Sequence, residues 1–208
     1  MPSPGTPRPR PPHDGGGDPA VDDEVTRWAL AAKAGDRSAA HAFVAATQHQ
    51  VRRFVVHLVG AREADDLTQE IYLRATRALP AFDARSTART WLLAIARRAC
   101  ADHVRLATRR PRVAALDDWQ AAAEAELARD PAAAGFEGGL ALAALVRALE
   151  PERREAFVAT QIAGLSYAEA AEVCGCPVGT IRSRVARARE DLVAAMAESG
   201  GRRLRRTS

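Results

Sequence analysis

Residues 165–192 read LSYAEAAEVCGCPVGTIRSRVARAREDL, and nearly every position has a local structural meaning. Ser166 and Glu169, three residues apart ahead of an apolar run, form a capping box: the hydroxyl and the carboxylate satisfy backbone N–H groups that a helix start leaves unpaired. A short helix with Ala170 and Val173 inward follows, and Gly175 supplies the left-handed conformation that stops it. Pro177 then opens a second helix where its missing N–H costs nothing. Two helices joined by so short a turn cross steeply, which is helix-turn-helix geometry.

The second helix has two faces. At 100° per residue, Ile181, Val185, Ala188 and Leu192 form one narrow apolar stripe that packs inward. Gly179, Ser183, Ala186 and Arg187 point the other way, with Arg182, Arg184 and Arg189 flanking the stripe. Small residues let a helix sink into the major groove, while Arg and Ser donate to base edges or phosphates. Arg182, Ser183 and Arg187 are therefore the candidates for base readout. Arg184 and Arg189 are expected on phosphates or acidic neighbours. An ordinary amphipathic helix with a solvated basic face is the plain alternative, but the capping box, the turn and the split faces agree on the first reading.

Working outward, the same periodicity recurs and no strand signal of substance appears. Ser38 is expected to cap a helix carrying Phe43, Ala46, Val51, Phe54, Val55 and Leu58, with Gly60 at its end. A second helix from about Glu63 places Leu67, Ile71, Ala75 and Ala78 on one face and presents Asp66, Gln69, Glu70, Leu73 and Arg77 on the other. After the Phe82–Ser86 loop a third helix carries Trp91, Leu92, Ile95 and Ala99 inside. A later helix runs from Leu140 to Leu149, followed by one that Pro151 opens and Gly164 closes.

The 208 residues are 47% hydrophobic, 27% charged and only 5% aromatic, a mixture that favours small helical domains over β-sandwiches. The predicted fold class is all-α: two small helical domains joined by a flexible linker. Residues 1–22, which include seven of the twelve prolines and the run Gly15-Gly16-Gly17, are expected to be disordered. The first helical block spans 25–110, an acidic and then glycine-rich linker 111–138, with a transient helix around Trp119 to Leu127, and the second block 139–197. A basic tail, 198–208, contains Arg202, Arg203, Arg205 and Arg206, suited to solvent or to nonspecific phosphate contact.

The formal net charge of +4 with a pI near 9.5 is compatible with a polyanionic partner. No apolar run is long enough to span a bilayer, and the N-terminus lacks a signal peptide's apolar core, so no membrane insertion and a cytoplasmic location are expected. Cys100, Cys174 and Cys176 cannot all pair with one another, which speaks against a disulfide scaffold. The Cys174-x-Cys176 spacing, with Cys100 and His103, invites a zinc reading but lacks a second paired knuckle; small buried thiols fit better, and no metal or cofactor is expected. His41, His49 and His57 share no tight face and read as surface or edge residues.

Two segments together carry a resemblance. ADDLTQEIYLRATRALPAFDARSTARTWLLAIARRACADHVR (64–105) resembles region 2 of sigma factors, and GLSYAEAAEVCGCPVGTIRSRVARAREDL (164–192) resembles their region 4. A short chain with only these regions and a linker is similar to the extracytoplasmic-function (ECF) group, most like the sigma-C type of actinobacteria. The likeness covers about Ala31 to Ala197. It implies a factor that binds core RNA polymerase, directs it to promoters and helps melt the −10 region, without catalysis or catalytic residues of its own. Asp66, Leu67, Gln69, Glu70 and Leu73 would dock on the clamp helices of the β′ subunit, with the β subunit a further contact. Phe82 to Arg98 would engage the −10 element, with Arg85, Arg89, Trp91, Arg97, Arg98 and Arg105 as its DNA-binding residues, although Trp91 also fits a core position. Thr180, Arg182, Ser183, Arg184 and Arg187 would sit at the −35 element. The linker would thread into the polymerase, and an anti-sigma factor is a further partner the family suggests. Arg98 stands where many members have Asn, and Ala186 where a bulkier residue is common; both bear on the promoter preferred.

Two other function classes remain open to the residues alone. An autonomous operator-binding regulator would need a dimer interface or ligand pocket, and no long heptad or sensor domain is visible. A recombinase with a C-terminal helix-turn-helix would need a catalytic domain with strands and a placed nucleophile, which the first block does not offer.

Overall fold

The computed structural model describes residues 19–109 and 138–206, with side chains for 20–107 and 143–197. The expectations for residues 1–18, for the linker through residue 137 and for a helix around Trp119 to Leu127 lie outside the described residues. The described regular elements are all helical. They are α1 (Pro19–Lys33), α2 (Arg37–Val59), α3 (Ala64–Ala78), a 3-10 turn (Leu79–Ala81), α4 (Ala88–Arg109), α5 (Gly138–Ala148), α6 (Pro151–Phe157), a π-helical turn (Val158–Ile162), α7 (Tyr167–Cys174) and α8 (Val178–Arg206).

In the first block α2 packs on α1, α3 and α4. Phe43, Val51, Phe54, Val55 and Leu58 of α2 recur at helical spacing and are buried, meeting Leu67 and Ile71 of α3 and Leu92 and Leu93 of α4 in the core. Each such side chain contributes ~1.5–3 kcal/mol by leaving water. The cap of α2 is not Ser38 but Asp36, whose carboxylate accepts the N–H groups of Ser38 (2.8 Å) and Ala39 (3.1 Å). A carboxylate at a helix start also meets the positive end of the helix dipole, an advantage a serine hydroxyl lacks.

Residues 19–22 belong to a helix rather than to the Pro/Gly-rich segment. Pro19 occupies a helix start, where proline is tolerated. Asp22, only 5% exposed, pairs with Arg89 of α4 at 3.3 Å. The basic tail is likewise not separate: α8 continues through Gly200-Gly201 to Arg206.

In the second block the capping box forms as expected. Ser166 Oγ accepts the Glu169 N–H (3.2 Å), Glu169 Oε2 accepts the Ser166 N–H (2.9 Å), and Gly175 sits at φ 65°, ψ 40°. The π-helical turn has no counterpart in the sequence reading. It ends at Ile162 and is capped by Ala163, ahead of Gly164 at φ 68°.

That turn joins the two blocks. A helix end leaves carbonyls without intrahelical donors, and the Ala163 carbonyl accepts from Gln50 Nε2 of α2 (2.8 Å) and from the Arg89 guanidinium of α4. Around it, Thr90 Oγ1 donates to Glu169 Oε1 (3.1 Å) and Arg97 Nε pairs with Glu155 (2.8 Å). Arg154 reaches back to the Leu58 carbonyl at the end of α2 (3.2 Å). Buried residues of both blocks form one continuous core across this seam, where α4 meets α7.

Cys100 of α4 and Cys174 of α7 are buried, and desolvation, aided by the Glu155 carboxylate, pushes both thiols up to about 12. His57, expected at the surface or an edge, is half-buried, with its Nδ1 shielded from water. Burial first, then the charges of Arg53 and Arg147, lower its pKa to about 4, and its Nδ1 has no hydrogen-bond partner.

Two outcomes follow from the seam. Arg97→Gln removes an ion pair holding the blocks together and should speed alkylation of Cys100 and Cys174 about tenfold, for a loss of ~1–2 kcal/mol. Losing the Arg97 charge alone would raise the Cys174 pKa further and slow the reaction, so acceleration reports opening; an unchanged or slower rate contradicts the seam. For His57 the unfolded chain takes up a proton near pH 6.5, whereas the packed chain resists it until about pH 4. Stability is therefore lost as pH falls through this window, by ~2 kcal/mol between pH 7 and pH 5. Urea unfolding should show that loss reduced by His57→Asn; an identical pH dependence in the variant would contradict the assignment.

Candidate polymerase and promoter interfaces

On α3 the acidic first turn, Asp65 and Asp66, lies at the positive end of the helix dipole. Asp66, Gln69 and Leu73 are exposed, Leu73 at 54% despite being apolar. Glu70 is half-buried and accepts from Arg74 (2.9 Å), which also bonds Asp102 of α4 (2.9 Å). Hydrogen bonds from Arg74 and Arg105 hold the Asp102 carboxyl below its usual range. Leu67 is buried, so it supports this surface from beneath rather than lying on it. A shallow groove lined by Arg62, Glu63, Asp66, Leu67, Glu70 and His103 separates the start of α3 from the end of α4.

The α4 residues divide between two directions. Arg89, Thr90 and Arg97 turn toward the second block and are engaged there, as the seam requires. Trp91, Arg98 and Arg105, spaced by seven residues, share an adjacent face. Trp91 is half-buried and stacks obliquely on Phe82, ring centroids 4.9 Å apart, which makes it largely a core residue. Arg98 is exposed, while Arg105 bonds Asp102. Arg85 lies in the loop before α4, exposed, and pairs with Asp83 (2.7 Å). The structure thus brings Trp91, Arg98 and Arg105 together and directs Arg89 and Arg97 elsewhere.

On α8 the apolar stripe is complete: Ile181, Val185, Ala188 and Leu192 are each 6% exposed or less. Arg182, Ser183, Ala186 and Arg187 are exposed on the remaining surface, and Thr180 is half-buried. The Ser183 hydroxyl donates to the Thr180 carbonyl (2.9 Å), leaving its lone pairs outward. Arg184 is half-buried, pairing with Glu152 and reaching Cys176 Sγ at 3.5 Å. Arg189 donates to Gln161 Oε1 (2.9 Å), and Arg153 of α6 pairs with Asp191 (2.6 Å). Arg184 thus meets an acidic neighbour and Arg189 an amide, so both brace the helix. Among the described residues, no hydrogen-bond acceptor of the protein holds Arg182 or Arg187.

Gln50, Thr90, Glu155 and Glu169 were not singled out by sequence. Their partners lie 58 to 113 residues away along the chain, and no local pattern encodes such pairings. Among the described residues no group of three or more His, Cys, Asp or Glu side chains could hold a metal ion, and no helix is long and apolar enough to cross a membrane.

Comparison with known proteins gives the family. The family model for sigma-70 region 2 matches residues 43–110, and that for sigma-70, region 4 matches 139–192. The ECF RNA polymerase sigma factor SigC of Mycobacterium tuberculosis is 53% identical over 176 residues, covering 84% of this chain and 93% of that protein. The structure of CnrH in complex with the cytosolic domain of CnrY superposes with a TM-score of 0.66 at 28% identity, covering 85% of this chain and 99% of that one. The sigma factor RpoE of Bartonella quintana, in complex with the anti-sigma factor NepR, gives 0.60 at 25% identity, with 74% and 94% covered. These matches span both helical blocks, and the chain belongs to the sigma-70 family as an ECF RNA polymerase sigma factor.

Proposed function

We propose that this sigma factor grips core RNA polymerase through α3 and reads promoter DNA through α8 and α4, each by the residues placed above. The observation that carries the reading is the division of α8. Its buried stripe fixes the helix, while Arg182, Ser183 and Arg187 stand exposed, and no acceptor among the described residues holds the Arg182 or Arg187 guanidinium. A helix presenting small residues and unspent donors suits the major groove, where Arg pairs bidentately with guanine. In this reading α8 sets position at −35 and Thr180 borders the contact. Arg184 acts indirectly by holding α8 to α6.

Asp66, Gln69 and Leu73 form the surface offered to the β′ clamp helices, with Glu70 at its edge. Arg98, Arg105, Trp91 and Arg85 line the approach to the −10 element. Arg89 and Arg97 join them once the second block leaves α4, so opening the seam accompanies promoter engagement. Captured, unstacked −10 bases then stabilise the open duplex against an unstacking cost of a few kcal/mol per step. The factor makes no bond itself; polymerase supplies the catalysis. We place it in the cytoplasm with the polymerase, and we extend to it an anti-sigma partner of the kind bound to RpoE.

Titrating core enzyme and then promoter separates the two functions. Arg182→Ala and Arg187→Ala should leave core binding intact and weaken the promoter complex about tenfold each, the scale of one lost Arg–base contact. Asp66→Lys and Leu73→Glu should do the reverse and weaken core binding. Unaltered promoter affinity in the first pair, or unaltered core affinity in the second, would contradict the assignment.

A further inference from the structure

The arginines around α8 are held in two different ways. Arg184, Arg189 and Arg153 spend N–H donors on Glu152, Gln161 and Asp191. Arg182 instead lies over the ring of Tyr167, its guanidinium carbon 5.9 Å from the ring centroid, within the range of cation–π attraction. The difference matters chemically. An ion pair consumes the planar edge of a guanidinium, where its five donors lie; an aromatic ring engages only the face and leaves that edge available.

Tyr167 is well placed to act as such a platform. It is the first residue of α7, directly after the capping Ser166, and its half-buried ring packs against the core. The capping box between Ser166 and Glu169 fixes the helix start that carries it, and Glu169 also accepts from Thr90. A free Arg side chain loses much rotamer freedom on binding, whereas one resting on a fixed ring has lost part of it beforehand.

We propose that Tyr167 is a positioning residue for −35 recognition: its ring holds Arg182 by the face, so that the guanidinium edge meets the DNA already oriented. The proposal rests on Arg182 being a −35 contact. Ala186, one turn beyond Arg182 on the same helix, offers no bulk to hold it there, and among the described residues the ring of Tyr167 is the support found for it.

The test uses the full chain bound to core polymerase, with a duplex that the parent holoenzyme selects from a library randomised at −35. Tyr167→Phe and Tyr167→Leu are compared alone and combined with Arg182→Ala. Because Y167F keeps the ring without the hydroxyl, the difference between Y167F and Y167L isolates the ring. Y167L is expected to bind two- to fivefold more weakly than Y167F and to select a less defined base at the position Arg182 reads. Core affinity and thermal unfolding should be the same in both. In the R182A background the two should bind equally. Equal binding of Y167F and Y167L with Arg182 present overturns the positioning role while leaving −35 contact by Arg182 intact. The same loss with and without Arg182 also overturns it, since the ring then acts through the fold. If R182A alone binds as tightly as the parent, the −35 contact and the positioning role both fall.

Discussion

The second block depends on the burial of one face of α8. Ile181, Val185, Ala188 and Leu192 are driven out of water, and their burial fixes the rotation of the helix about its axis. Once that rotation is set, the outward positions of Arg182, Ser183 and Arg187 follow without further interactions. The braces between Arg184 and Glu152 and between Arg153 and Asp191 refine the same orientation. Apolar burial of one face and a few ion pairs suffice here, because a DNA-reading helix needs only to be held rigidly and left exposed.

The first block uses one helix for two purposes. α4 buries Leu92, Leu93 and Ala96 in the core, and its polar positions then face either the second block or solvent. Arg89 and Arg97 satisfy the Ala163 carbonyl and the Glu155 carboxylate in the packed arrangement. The same two cations lie in the segment proposed for −10 DNA. A phosphate and a carboxylate compete for an arginine on similar terms, so intramolecular packing and the proposed −10 contact draw on shared groups.

Much of this was legible in the residues, for reasons that differ by element. The capping box at Ser166 and Glu169, the left-handed Gly175 and the apolar stripe of α8 are local, and local patterns survive folding unchanged. Asp36 replaces Ser38 as the cap of α2 because its carboxylate accepts the Ser38 and Ala39 N–H groups and so starts the helix two residues earlier. The start of α1 falls inside the stretch expected to be disordered because Pro19 continues the proline-rich composition, although proline is tolerated at a helix start. The π-helical turn, the partial burial of His57 and the inter-block bonds of Gln50, Thr90, Glu155 and Glu169 arise from packing between distant segments, which periodicity does not encode. For the interfaces, exposure separates residues that the resemblance grouped together, along the lines periodicity had drawn: Leu67 lies inward and Leu73 outward, and Arg184 meets an acidic neighbour while Arg182 stays exposed.

The account stands or falls on whether this chain gives polymerase a promoter choice. Start sites mapped genome-wide from in vitro transcription, with core enzyme alone and with the chain added, address that directly. The account predicts a small set of new starts that appear only with the chain and share paired −35 and −10 sequences. Starts identical with and without the chain, together with no complex between the chain and core enzyme, would contradict it.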